Sequence, residues 1–191
     1  MSLPENLTPL IEPLKALQNL LDRFEGRGVI IGGIATGFLG TPRFTVDLDA
    51  MFLASLKDIP HILNLAKEEG IEPRTPDIAE FAKKSRVLLL RHKNSGIKID
   101  ISLGILPFEE EVVERSARHN AGALTVQLPT PEDFIILKAI AHRPKDLLDI
   151  QEVKANHPNL DIARIKHWVQ SFADVLEIPE LWEQIEAILK E

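Results

Sequence analysis

The run Thr45-Val46-Asp47-Leu48-Asp49-Ala50 constrains this chain more than any other, because it sets two carboxylates in alternation inside an otherwise apolar stretch. Successive side chains of a strand point to opposite faces. A strand over Phe44 to Phe52 therefore puts Thr45, Asp47 and Asp49 on one face and turns Val46, Leu48 and Ala50 inward. Aspartate is a poor strand former, so its presence at two alternating positions needs either an open, solvated face or a bound cation. On such a strand the two carboxylates stand about 7 Å apart on a rigid element. Like charges at that spacing repel, and a cation relieves the repulsion. An all-oxygen ligand set favours magnesium or manganese over zinc.

A third carboxylate lies on a second strand-like segment. Arg86 to His92 and Ile97 to Leu103 flank the turn residues Lys93, Asn94, Ser95 and Gly96, the pattern of a hairpin. In its second arm Ile97, Ile99, Ile101 and Leu103 alternate with Lys98, Asp100 and Ser102, so Asp100 falls on the polar face. With Asp47 and Asp49 it makes a set able to hold two metal ions for in-line phosphoryl or nucleotidyl transfer. The plainer reading, three aspartates on a solvated face, stays open at this level. Gly32 and Gly33 follow the β-branched run Val29, Ile30 and Ile31 and precede a short helical segment, Ile34 to Leu39. A glycine pair there lets backbone amides at a helix start approach a phosphate, although a simple turn would use the same residues. No Walker loop and no Gly-x-Gly-x-x-Gly is present.

The rest of the chain reads as an α/β (α+β) part, residues 1–129, and a C-terminal helical part, residues 130–191. The spacing of Leu7, Leu10, Ile11, Leu14, Leu17, Leu20, Leu21 and Phe24 predicts an amphipathic N-terminal helix ended by Gly26 and Gly28. Further helices are predicted over Ile59 to Glu69 and Glu109 to Arg118, and a strand over Leu124 to Leu128. After Pro131 only helices are expected, about Glu132 to Ala141, Pro144 to Lys154, Asp161 to Asp174 and Pro179 to Lys190.

Gly32-Gly33, thirteen residues, Asp47-x-Asp49 and a later lone strand aspartate, Asp100, resemble the signature of the DNA polymerase β type nucleotidyltransferase superfamily. A second stretch, Pro131 to Asp149, with Lys138, then Arg143, Lys145-Asp146 and Asp149, is similar to the helical portion of AbiEii-type toxin nucleotidyltransferases. The resemblance spans roughly residues 28 to 150. It implies a mixed sheet with flanking helices, two magnesium or manganese ions on Asp47, Asp49 and Asp100, and a nucleoside triphosphate against Gly32 and Gly33. The expected reaction moves a nucleoside monophosphate from the triphosphate to an acceptor hydroxyl of RNA or protein. It further implies a toxin or phage-defence role with an antitoxin as partner. Many members carry Gly-Ser, whose hydroxyl binds a phosphate oxygen; Gly33 leaves backbone donors only. The alternative is a nucleotide- or protein-binding module on the same fold without turnover.

Other residues fill out the candidate site. Arg43 precedes the aspartate strand and can reach a phosphate. Lys138 and His142 are four apart on one helix face; Lys138, with Arg143 or Lys145, can neutralise triphosphate charge while Asp146 orients base or ribose. Equally, Asp146 and Asp149 can cap their helix and pair with Arg143 and Lys145. Trp168 and Trp182, at helical spacing with Ile165, Phe172 and Leu181, read as core. The six histidines form no metal-ligand pattern, and no serine sits in a nucleophile-elbow context.

Charge and composition exclude other classes. A net charge of -7 argues against a general nucleic-acid coat. Yet Arg74, Lys83, Lys84, Arg86, Arg91, Lys93 and Lys98 cluster against Asp77 and Glu80 alone, a basic margin that fits an RNA end or a solvated hairpin face. With no cysteine there is no disulfide framework, thiolate site or cysteine nucleophile. No apolar run is of membrane-span length, and the first twenty residues, with Glu5, Glu12, Lys15 and Gln18 interspersed, are not a signal peptide. The expectation is a cytoplasmic protein.

Overall fold

Gly26 and Gly28 separate a long helix from the first strand, as their spacing predicts, and the chain then alternates short strands and helices. The structure, a computed structural model, describes residues 5–41, 45–122 and 124–190. A 3-10 turn, Glu5–Leu10, leads into α1 (Ile11–Arg23). Next come β1 (Gly28–Ile31), α2 (Gly32–Leu39), β2 (Asp47–Leu53), α3 (Ile59–Glu68), β3 (Ile71–Pro73), α4 (Ile78–Ser85), β4 (Val87–His92) and β5 (Lys98–Gly104). Then follow α5 (Pro107–Arg115), β6 (Ala117–Ala121) and β7 (Leu124–Leu128), and four helices: α6 (Pro131–Ala141), α7 (Pro144–Asn156), α8 (Ile162–Leu176) and α9 (Leu181–Lys190).

Five strands form one mixed sheet in the order β1-β2-β5-β4-β3. Only the β2–β5 pair is parallel, with Asp49 opposite Asp100; β1–β2, β5–β4 and β4–β3 run antiparallel. β6 and β7 make a separate antiparallel hairpin. One face of the sheet is dry: Leu48, Ala50, Leu88, Leu90, Ile99 and Ile101 are buried. The N-terminal helix buries Leu14, Leu17, Leu20 and Leu21, and Phe24 at its end stacks on Phe52 of β2 with ring centroids 5.4 Å apart. Burying a side chain of this size contributes on the order of 1.5–3 kcal/mol.

The chain divides into two compact units, Met1–Ile34 with Arg43–Leu128, and Ala35–Pro42 with Pro129–Glu191. The first contains the five-stranded sheet. The second is helical: α6 packs on α7 and α8, and α9 on α7 and α8, around Phe134, Ile136, Ile150, Val153, Ile165, Val169, Leu181 and Ile185. Its helices start where the sequence offers caps: the Thr130 hydroxyl accepts from Asp133 N–H, and Asp161 accepts from Arg164 N–H. Trp182 is buried in this core, as expected, while Trp168 is only half-buried and leans on Phe172, ring centroids 6.0 Å apart.

Four local differences from the sequence reading have physical causes. Val46 is 59% exposed, not inward, because β2 begins only at Asp47 and the pleat does not yet hold it. β3 has three residues, too few to show alternation. The following helix α4, Ile78–Ser85, is likewise absent from that reading. The helix expected to reach Arg118 stops at Arg115, and Ala117–Ala121 pairs with β7 instead. Among the described residues no helix is long and apolar enough to cross a membrane.

Candidate active site

The polar face of the sheet is assembled from strand pleat and register. In β2 Asp47 and Asp49 are half-buried while Leu48 between them is fully buried; in β5 Asp100 is half-buried between buried Ile99 and Ile101. The parallel β2–β5 register sets Asp49 beside Asp100 and Asp47 beside Lys98. The hydroxyl of Thr45 donates to the Asp47 carbonyl and lies 3.1 Å from Asp47 Oδ1, fixing the entry to the strand.

The glycine pair opens α2, and both positions require glycine. Gly32 has φ +64°, a left-handed conformation that a side chain resists. A Cβ there would also collide with the Asp49 carboxylate, and one on Gly33 would stand 2.7 Å from the Thr45 hydroxyl oxygen. The start of α2 therefore lies directly against Asp49 and Thr45, with only backbone between them.

Arg74, just past β3, forms an ion pair with Asp100 Oδ1. Burial pushes the Asp100 carboxyl above its usual range; Arg74 and Lys98 oppose this, and the charge of Asp47 reinforces it. Among the described residues no group of three or more His, Asp or Glu side chains is arranged to hold a metal ion as it stands, which accords with Asp100 being drawn to Arg74. The donor chemistry nonetheless fits a hard divalent cation: oxygen atoms only, on three adjacent-strand carboxylates of one sheet face.

Lys138, Asp146 and Asp149 belong to the second unit and meet one another. The Lys138 ammonium is 7% exposed and lies 3.1 Å from Asp146 Oδ1 and 2.6 Å from Asp149 Oδ2. Asp146, fully buried, also accepts from the Arg143 backbone N–H and from its Nε at 2.5 Å. Burial would raise the Asp146 pKa, but the hydrogen bonds from Arg143 and Lys138 outweigh it, and the carboxyl sits below its usual range. His142 does not continue the face of Lys138: it adopts φ +49° at the end of α6 and contacts Gln184 Oε1 through Nε2 at 2.8 Å.

Arg43 lies outside the described residues. Arg74, by contrast, was visible only as one member of a basic cluster; no local signal joins it to Asp100, because the contact depends on β3 being two strands away from β5. Of the other six, Lys83 pairs with Glu80, Arg91 with Glu72, and Arg86 with the carbonyls of Leu103 and Ala54, while Lys84, Lys93 and Lys98 are exposed.

Comparison with known proteins bears on the fold and the family. A crystal structure of an antigenic nucleotidyltransferase-like protein from Paracoccidioides brasiliensis superimposes with a TM-score of 0.55 over 98% of this chain and 95% of that one, at 17% identity, a likeness of fold. A search of curated proteins finds no match. The family described as "Nucleotidyl transferase AbiEii toxin, Type IV TA system" matches residues 17–190, so nearly the whole chain, sheet and helices together, belongs to the AbiEii nucleotidyltransferase toxin family.

Proposed function

We propose that the protein is a divalent-metal-dependent transferase that moves a nucleoside monophosphate from a nucleoside triphosphate to an acceptor hydroxyl of RNA or protein, as the toxin of a toxin–antitoxin pair. The observation that carries this reading is the backbone of Gly32 lying against the Asp49 carboxylate, with Asp100 in register on the next strand. Asp47 and Asp49 would hold a magnesium or manganese ion, with Asp100 completing the set for a second; when bound, such ions supply charge neutralisation at the phosphates. The amides at the start of α2 supply donors to phosphate oxygens at a point where no side chain intervenes. In the reaction the acceptor oxygen bonds to the α-phosphorus and the bond from that phosphorus to the α,β-bridging oxygen breaks. Pyrophosphate leaves with the bond's electron pair, and the hydroxyl proton passes to the Asp100 carboxylate.

Lys138 and Asp146 enter this reading through each other. Within the helical unit their charges satisfy each other, and the Arg143 guanidinium, 56% exposed, also pairs with Asp146. Arg43, on the chain leading into β2, is assigned to a phosphate as well.

The test is transfer of label from α-labelled triphosphates to cellular RNA and protein in the presence of Mg2+ or Mn2+, with an Asp47→Asn, Asp49→Asn double variant as control. Loss of metal-held phosphate stabilisation should lower the rate by at least roughly a thousandfold. Equal labelling by both proteins, or no metal-dependent triphosphate binding by the wild type, would leave the binding-module reading in its place.

A further inference from the structure

Arg74 lies outside every motif of the chain, yet it is the cation set against the carboxylate face. Its backbone N–H donates to the Leu89 carbonyl at 2.9 Å, which pins it at the end of β3, and Leu89 stands opposite Asp100 in the β4–β5 register. The side chain thus crosses β4 to reach β5, where Nη2 pairs with Asp100 Oδ1. A guanidinium carries five donors in a planar fork that suits both oxygens of a carboxylate. Here the contact runs through Nη2, while Nε is buried without a hydrogen-bond partner. Buried donors in a permanent bridge are normally satisfied. A guanidinium with one donor on Asp100 and another buried and unused has donor capacity for a second anionic partner. Asp100 itself lies between opposing charges, with Asp47 and Lys98 both close enough to act on it.

We propose that Arg74 is a positioning residue that gates divalent-ion binding: while it is paired with Asp100, that carboxylate is withheld from any ion held by Asp47 and Asp49. Asp100 joins them when the guanidinium releases it and turns its donors, Nε included, to an anionic group of the nucleotide. This rests on the transferase reading above and adds an order of events to it: the ion that needs Asp100 binds together with the triphosphate, not before it. If the pair is closed nine-tenths of the time, the affinity of that ion falls about tenfold in the free protein.

The experiment is Mn2+ binding, by electron paramagnetic resonance of free Mn2+ and by calorimetry, to the wild type, Arg74→Met, Arg74→Lys and the Asp47→Asn, Asp49→Asn double variant, each first without nucleotide. Arg74→Met should bind Mn2+ about tenfold tighter or take up one further ion, and Arg74→Lys, which keeps the cation, should stay near the wild type. Added triphosphate should raise Mn2+ affinity in the wild type far more than in Arg74→Met, whose KM for triphosphate should rise about tenfold with a smaller change in kcat. Thermal melting checks folding, and Arg74→Gln serves as the uncharged variant should Arg74→Met not fold. Identical Mn2+ affinity and stoichiometry in the wild type and the uncharged variant, lost in the double variant, would overturn the gate and leave the transferase reading intact. Binding of Mn2+ by none of the proteins, with or without triphosphate, would overturn both.

Discussion

The protein holds two groups of charges, one in each unit, and they are built to opposite rules. In the helical unit Lys138, Asp146 and Asp149 are almost wholly buried, and Lys138 together with Arg143 balances the two carboxylates; Asp133 of α6 is likewise buried against Arg164 of α8, 2.7 Å away. On the sheet, Asp47, Asp49 and Asp100 are half-buried, and Asp100, which feels the charge of Asp47, pairs with the Arg74 guanidinium, whose Nε has no hydrogen-bond partner. A buried ionic cluster whose charges cancel acts as a crosslink between helices and has little to offer a ligand. Half-buried carboxylates on a rigid strand pair remain reachable by solvent and solutes. The contrast supports the reading proposed above, with the chemistry on the sheet, although the sequence presents both as motifs of equal weight.

The largest effect is expected when one charge is removed from the crosslink. Lys138→Met should destabilise the helical unit by about 3–5 kcal/mol, the usual consequence of leaving buried carboxylates without their partner, whereas Asp47→Asn should leave stability unchanged or slightly raised by relieving repulsion. Urea denaturation of both variants decides; a Lys138→Met midpoint near the wild type would show that the cluster is not a crosslink.

Acid titration sharpens the same contrast. The Asp146 carboxyl is held below its ordinary value, so the stability it contributes is present above the usual aspartate range and is lost as pH falls through its depressed folded value. Asp146→Asn should therefore cost about 2–3 kcal/mol near neutral pH, from charge-assisted hydrogen bonds lost, and the gap to the wild type should close in strongly acidic solution. The pH dependence of the denaturation midpoint in the two proteins measures it; a gap constant with pH would contradict the assignment. Asp100 shifts the other way, so its ionised form gains nothing from folding.

A smaller effect on folding is expected at Gly32. A side chain there is strained by φ +64° and meets Asp49, so Gly32→Ala should lower stability by about 1–3 kcal/mol. It should also lower triphosphate and Mn2+ binding by displacing that carboxylate. Near-normal binding in a folded Gly32→Ala protein would separate the glycine from the site.

Much of this was legible in residue pattern. The aspartates lie on the half-buried face of their strands because alternation dictates it, and the hairpin of β4 and β5 follows from two apolar runs around a Gly-containing turn. The helices of the second unit begin at the capping and proline signals that mark them, with ends shifted by one or two residues. What pattern could not supply was pairing. β3 and β6 are short, and each is a strand only by virtue of its neighbour, β4 and β7 respectively. The Arg74–Asp100 contact needs the sheet order before it can be drawn at all. Nor does pattern distinguish a lysine aimed at a ligand from one aimed at two aspartates: Lys138 carries the same letter either way, and only the turn between α6 and α7, which brings Asp146 and Asp149 back to it, decides.

The close approach of Gly33 to Thr45 sets a rule of exchange for this corner of the molecule. There is room for one hydroxyl-bearing side chain beside the first turn of α2, and here it comes from the strand side. The two positions are therefore a matched pair: a serine introduced at 33 alone would be rejected by crowding, and accepted only when residue 45 is reduced to alanine or glycine. Substitutions here should be made two sites at a time.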